Sequence, residues 1–153
     1  MRFLIIFSFI GFLSELPAVL AADDVPTRNA LTGVWVGYAI EGKGEKPDQG
    51  PVKIKLTITK DQIAGVQLDG EKMIDQGSGT YTLDLSKPVH VMDATHSQRK
   101  NNTWQGIFVL EGDTLKWCVG RRERPTEFET KKGAFYLILK REQTGKEESK
   151  KPK

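Results

Sequence analysis

Residues 104–119 constrain the fold of this chain more than any other stretch, because they are typical of a tight antiparallel hairpin. Two apolar runs, WQGIFVLE and TLKWCV, are joined through Gly112 and Asp113. Gly112 is free to take the positive φ that such a turn requires. The remainder of the chain is therefore expected to consist of strands arranged around this hairpin.

Six further segments show the period-two alternation of a strand. They are residues 32–40, 52–59, 62–68, 71–84, 89–95 and 134–141. Residues 52–59 give the clearest pattern, with apolar side chains on one face and Lys or Thr on the other. Gly77 and Gly79 predict a bulge or sharp bend within the longest segment. No segment predicts a convincing helix.

Eight strands linked mostly by short turns predict an all-β fold, an eight-stranded antiparallel up-and-down barrel. Such an interior is either filled by side chains or holds one small ligand. Residues 104–111 and 134–141 are apolar on both faces, so their outer face must be covered. Either residues 120–133 lie across it or a second molecule does, which makes a homodimer or an envelope protein a candidate partner.

The N-terminus is typical of an export signal. Arg2 precedes an apolar run over residues 3–13, which is too short to span a bilayer, and cleavage is expected after Ala21 or Ala22. We therefore expect an exported protein, periplasmic or extracellular, soluble and not membrane-spanning after cleavage. No cysteine directly follows the signal, so no lipid anchor is expected. The predicted organisation is a signal peptide (1–21), a polar lead-in (22–30), the barrel (31–142) and a charged disordered tail (143–153).

The net charge of +3 does not indicate a nucleic-acid-binding surface. Residues 140–153 contain six basic and three acidic side chains, so the rest of the mature chain is electrically balanced. Nucleic-acid binding draws most of its affinity from clustered basic groups, and we expect no such partner. Cys118 is the only cysteine, which excludes an internal disulfide and favours a buried, inert thiol.

Seven short blocks of the sequence form a recognisable series. They read LTGVW at 31–35, GTYTLD at 79–84, MD at 92–93, GIF at 106–108, GDTL at 112–115, RPTEF at 124–128 and LILKR at 137–141. Over residues 31–142 this series resembles an uncharacterised lipocalin-like domain family abundant in planctomycete bacteria. The resemblance implies a small lipocalin-like barrel, and it implies no reaction and no catalytic residues. Gly33-x-Trp35 is also similar to the opening of true lipocalins, which implies that Trp35 plugs the closed end.

Aromatic and basic side chains supply the candidate ligand contacts. The predicted ligand-binding residues are Trp35, Trp104, Phe108, Trp117, Arg122 and Arg124. The tryptophans either line a cavity or fill a packed barrel. Arg122 and Arg124, together with Arg121, could bind an anion. The alternative, which the usual solvation of surface charges favours, is that one of them pairs with Glu123 or Glu127.

No catalytic constellation is recognisable in the sequence. His90 and His96 would stand about 20 Å apart on an unbroken strand, too far for one metal ion. There is no nucleophile elbow, phosphate loop or dinucleotide motif. We predict no catalytic residue, metal or cofactor, and hold a hydrolase using a loop histidine as a minor alternative. The expected function is a binding module for a small apolar or amphipathic molecule; the alternative is a packed interaction or envelope-associated structural module.

Overall fold

The alternating side chains of the sequence form eight strands in the computed structural model, which describes residues 25–41, 51–99, 101–130 and 133–143. The elements are α1 (Val25–Leu31), β1 (Gly33–Glu41), β2 (Val52–Ile58), β3 (Gln62–Asp69), β4 (Lys72–Asp84), β5 (His90–His96), β6 (Thr103–Glu111), β7 (Thr114–Gly120) and β8 (Ala134–Arg141). All eight predicted strands are confirmed. The predicted signal segment, residues 42–50 of the predicted loop and residues 144–153 of the tail lie outside the described residues.

The strands close into a single barrel. Each one pairs antiparallel with the next in sequence, and β8 returns to β1 with Leu139 opposite Gly37. The predicted up-and-down barrel is therefore confirmed. Because direction alternates, the turns between β2 and β3, β4 and β5, and β6 and β7 share one end of the barrel with α1. We call this the closed end and the opposite end the mouth.

The predicted bend in β4 is present. The register between β3 and β4 shifts at Gly65 and Val66, where Gln76 is the extra residue of the bulge. Gly77, next to it, has a φ of 98°, a conformation that a residue with a side chain rarely adopts. A bulge of this kind sharpens strand twist and helps a sheet to curl into a barrel.

A short helix precedes the barrel, so the expectation that no segment forms a helix is wrong for residues 25–31. Leu31 at its end is fully buried in the core. The indole N–H of Trp35 donates to the Leu31 carbonyl at 2.8 Å, and the Thr32 hydroxyl donates to the Arg28 carbonyl at 2.9 Å. A helix of seven residues is too short to be stable by itself, and these contacts with the barrel hold it.

Arg141, the last residue of β8, ties the closed end together. Its guanidinium lies 4.2 Å from the centre of the Trp35 ring and donates to the carbonyls of Ala30 and Thr32. Its Nε also donates to the Asp113 carboxylate at 3.0 Å. One side chain thus joins the helix, β1 and the β6–β7 turn.

Residues 121–130 cover the outer face of the sheet at β6 and β7. Ile107 and Cys118 point away from the barrel interior, yet they are only 4% and 0% exposed. The Cys118 thiol contacts the Glu129 carbonyl at 3.4 Å, and the Phe128 ring packs against Tyr136 with centroids 6.1 Å apart. Of the two coverings that the sequence allowed, the first, a segment of the chain itself, covers this part of the face, whereas Ile138 on β8 stays 38% exposed.

Candidate functional site

The barrel contains a cavity of about 410 Å³ that opens at the mouth. Its wall includes Ala39 near the end of β1, Val52 at the start of β2 and Phe135 at the start of β8, all of which lie at the mouth end of their strands. Ligand pockets in proteins typically measure about 300–1,000 Å³. The interior is therefore partly filled by side chains and partly open.

The wall is mostly apolar. Its aliphatic and aromatic members are Ala39, Val52, Ile54, Leu56, Ile63, Ala94, Trp104, Trp117, Val119, Phe135 and Leu137. Among the described residues no polar or charged side chain is buried in the core. The surface of a molecule occupying this space would be removed from water mainly by contact with apolar side chains.

Trp117 forms part of this wall in a defined orientation. Its indole N–H donates to the Met92 carbonyl at 3.1 Å, and only 5% of the residue is exposed. Gly106 lies beneath the indole, where an added Cβ would be 2.3 Å from Nε1. The Asp93 carboxylate accepts the Gly106 N–H at 3.0 Å. The glycine and these hydrogen bonds hold the Trp117 ring in place.

The polar side chains of the wall include four from β3, β4 and the end of β5. Gln67, Gln76 and Ser78 come from the β3–β4 hairpin, and His96 ends β5. The Gln98 N–H donates to His96 Nδ1 at 3.1 Å. Nδ1 therefore acts as an acceptor, and the proton of the neutral ring is on Nε2.

Arg121 also belongs to the cavity wall and directly follows β7. Its guanidinium lies 4.5 Å from the centre of the Trp104 ring. Trp104 in turn meets Phe135 edge to face, with centroids 5.5 Å apart. Stacking on an aromatic face holds the cation at the rim while leaving its N–H groups available.

The four predicted aromatic contacts divide into two pairs. Trp104 and Trp117 line the cavity. Trp35 and Phe108 are 0% and 1% exposed and belong to the packed core, outside the cavity wall. The closed-end position implied for Trp35 is where the structure places it, beneath Arg141.

The two predicted arginines lie outside the cavity wall. Arg122 is exposed, and Arg124 forms an ion pair with Asp93 on the outer face, a partner other than the expected Glu123 or Glu127. A ligand in the cavity would instead meet Arg121. The alternation of side chains along β7 predicts this placement. Trp117 and Val119 face inward, and Arg121 is the next residue with the same orientation.

The groups with shifted pKa values are outside the cavity wall. The Ser86 hydroxyl and N–H lower the pKa of Asp84 by hydrogen bonding to its carboxylate, and the Glu111 carboxylate raises the pKa of Lys116. Both belong to turns or hairpins at the closed end. They contribute to local structure and not to the chemistry of the cavity.

The described residues contain no group of three His, Cys, Asp or Glu side chains that could hold a metal ion. His90 and His96 occupy opposite ends of β5. No helix in the described part of the chain is long and apolar enough to cross a membrane. What the fold and site define is a closed antiparallel barrel with an apolar cavity and a polar mouth.

No family model matches this sequence, and the comparison with curated proteins found no match. The resemblance to the planctomycete lipocalin-like family stays a prediction. The functional assignment must therefore come from the geometry of the cavity.

Proposed function

We propose that this protein is an exported binding module that takes one small amphipathic molecule into its barrel. The observation that carries the proposal is the cavity of about 410 Å³, which is apolar in depth and open at one end. Burying a methylene group stabilises a complex by about 0.8 kcal/mol, so even a short alkyl chain would gain several kcal/mol there. The typical N-terminal signal supports export.

The placement of polar groups favours an amphipathic ligand over an entirely apolar one. His96 ends β5 and Arg121 follows β7, so both lie at the mouth, and Gln67 and Gln76 come from the β3–β4 hairpin, whose turn is at the same end. A ligand polar at one end would keep that end among these groups and near water.

The alternative, a packed interaction module, has less support. Its basis in the sequence was an apolar outer face on β6 and β8. Ile107 on β6 is buried, and Phe128 of the segment 121–130 packs against Tyr136 on β8. An open interior can also hold a ligand, whereas a packed interior cannot. A homodimer or envelope partner is not needed to bury Ile107 or Cys118.

Decanol is a suitable probe, because it combines an alkyl chain with a neutral polar end. We expect saturable one-to-one binding, detected as a change in the fluorescence of Trp104 and Trp117, which line the cavity. Ala94→Phe places a ring inside the cavity and should weaken binding at least about tenfold, equivalent to excluding roughly two methylene groups. Native mass spectrometry of the protein isolated from its own cell envelope would also reveal any bound mass and the cleavage site.

Ala64→Phe is the matched control. Ala64 lies between inward-facing Ile63 and Gly65 on β3, so its side chain faces outward. This variant should bind decanol as the unmodified protein does. If the binding of decanol is not saturable, or if both phenylalanine variants weaken it equally, the cavity is not the binding site.

A further inference from the structure

We propose that the molecule bound in the cavity is a carboxylate, with its alkyl portion in the barrel and its charge held at the mouth by Arg121 and His96. This inference rests on the proposed binding function and adds the charge of the ligand. It depends on three observations about the mouth.

The first observation is the state of Arg121. Its guanidinium is fixed over the Trp104 ring at 4.5 Å, and it forms no ion pair with any carboxylate of the described residues. By contrast, Arg124 and Arg141 are each paired with an aspartate. Arginine presents parallel N–H groups that match the two oxygens of a carboxylate. Arg121 is thus a positioned cation at the rim of an apolar cavity.

The second observation is the orientation of His96. Because Nδ1 accepts the Gln98 N–H, the neutral ring offers its other nitrogen, Nε2–H, as a donor. Nε2 lies beside Gly77, where an added Cβ would be only 2.4 Å away. Gly77 and His96 both belong to the cavity wall. The missing side chain at Gly77 therefore makes room for the imidazole at the cavity wall.

The third observation is the absence of negative charge. The wall formed by the described residues contains one arginine and one histidine but no aspartate or glutamate. A positively charged ligand would meet Arg121 without a compensating carboxylate. A neutral ligand would leave the guanidinium without an ionic partner. An anion with an apolar tail matches both the rim and the depth of the cavity.

The test compares three probes with the same ten-carbon chain at pH 8 and low salt: decanoate, decanol and decyltrimethylammonium. Binding is measured by tryptophan fluorescence and by calorimetry. A charge-assisted contact at an exposed rim should make the Kd of decanoate about tenfold lower than that of decanol. Decyltrimethylammonium should bind more weakly than decanol. The Arg121→Gln variant should lose the preference for decanoate and keep the affinity for decanol.

Arg122→Gln is the matched control, since it removes the same charge one residue along, outside the cavity wall. It should keep the tenfold preference. Should Arg121→Gln fail to fold, Arg121→Lys retains the charge and is expected to retain a reduced preference for decanoate. Equal binding of decanoate and decanol would overturn the carboxylate assignment while leaving the proposed function intact. Equal losses in Arg121→Gln and Arg122→Gln would also overturn it, and failure of all three probes would overturn the proposed function itself.

Discussion

Replacing Trp35 by alanine is expected to lower the free energy of unfolding by about 3–5 kcal/mol, the range for removing a large buried aromatic side chain. Trp35 is fully buried, donates to Leu31 and is covered by Arg141. Its removal would leave a void at the closed end and a carbonyl without its indole donor. Urea denaturation measures the change.

Tyr38→Ala is the control for this prediction. Tyr38 lies on the same strand but is 52% exposed, so its truncation should cost less than about 1 kcal/mol. Under conditions in which they are folded, both variants should bind decanol as the unmodified protein does, because neither residue lines the cavity. A loss below about 1 kcal/mol for Trp35→Ala would show that the closed end is not tightly packed.

Trp117→Ala is expected to affect stability and ligand size together. The indole packs against Gly106 on one side and borders the cavity on the other. Because one side already faces open space, the cost should be about 3 kcal/mol, at the low end for such a truncation. The vacated volume would join the cavity. Tetradecanol should therefore gain affinity relative to decanol, as measured by calorimetry.

Trp117→Phe separates the two effects. It keeps a ring in the wall but removes the donor to the Met92 carbonyl, so it should cost about 1–3 kcal/mol for an unpaired buried acceptor. The preference between decanol and tetradecanol should change less than in Trp117→Ala. If alanine at this position left the preference unchanged, the indole would not border the binding volume.

The strands could be predicted because the signals for them are local, and closure follows from their number and short connections. Alternation assigns each strand and its two faces, and Gly112 identifies the central turn. The helix could not be predicted in this way, because residues 25–31 show no helical periodicity. Its stability comes from Trp35 and Arg141, and the second of these lies more than a hundred residues away in the sequence.

The cavity residues were only partly predictable, for a related reason. Alternation indicates that Trp35, Trp104, Phe108 and Trp117 all face inward. It does not indicate how far along the barrel axis each one lies, since that depends on the register between strands. For a similar reason the sequence predicted Arg122 as a ligand contact, whereas the structure places Arg121 in the cavity wall. The phase of β7 continues into residue 121, but a strand's end is the least certain part of its prediction.

Cys118 gives the protein a natural reporter of local motion. It is the only thiol in the chain, and it is completely covered where residues 121–130 cross the barrel. A thiol reagent can reach it only when this segment lifts or the whole barrel unfolds. Arg121, at the mouth, begins the same segment. The rate of thiol labelling with and without a bound molecule would therefore report whether occupation of the cavity changes how often residues 121–130 open. No label has to be engineered into the chain.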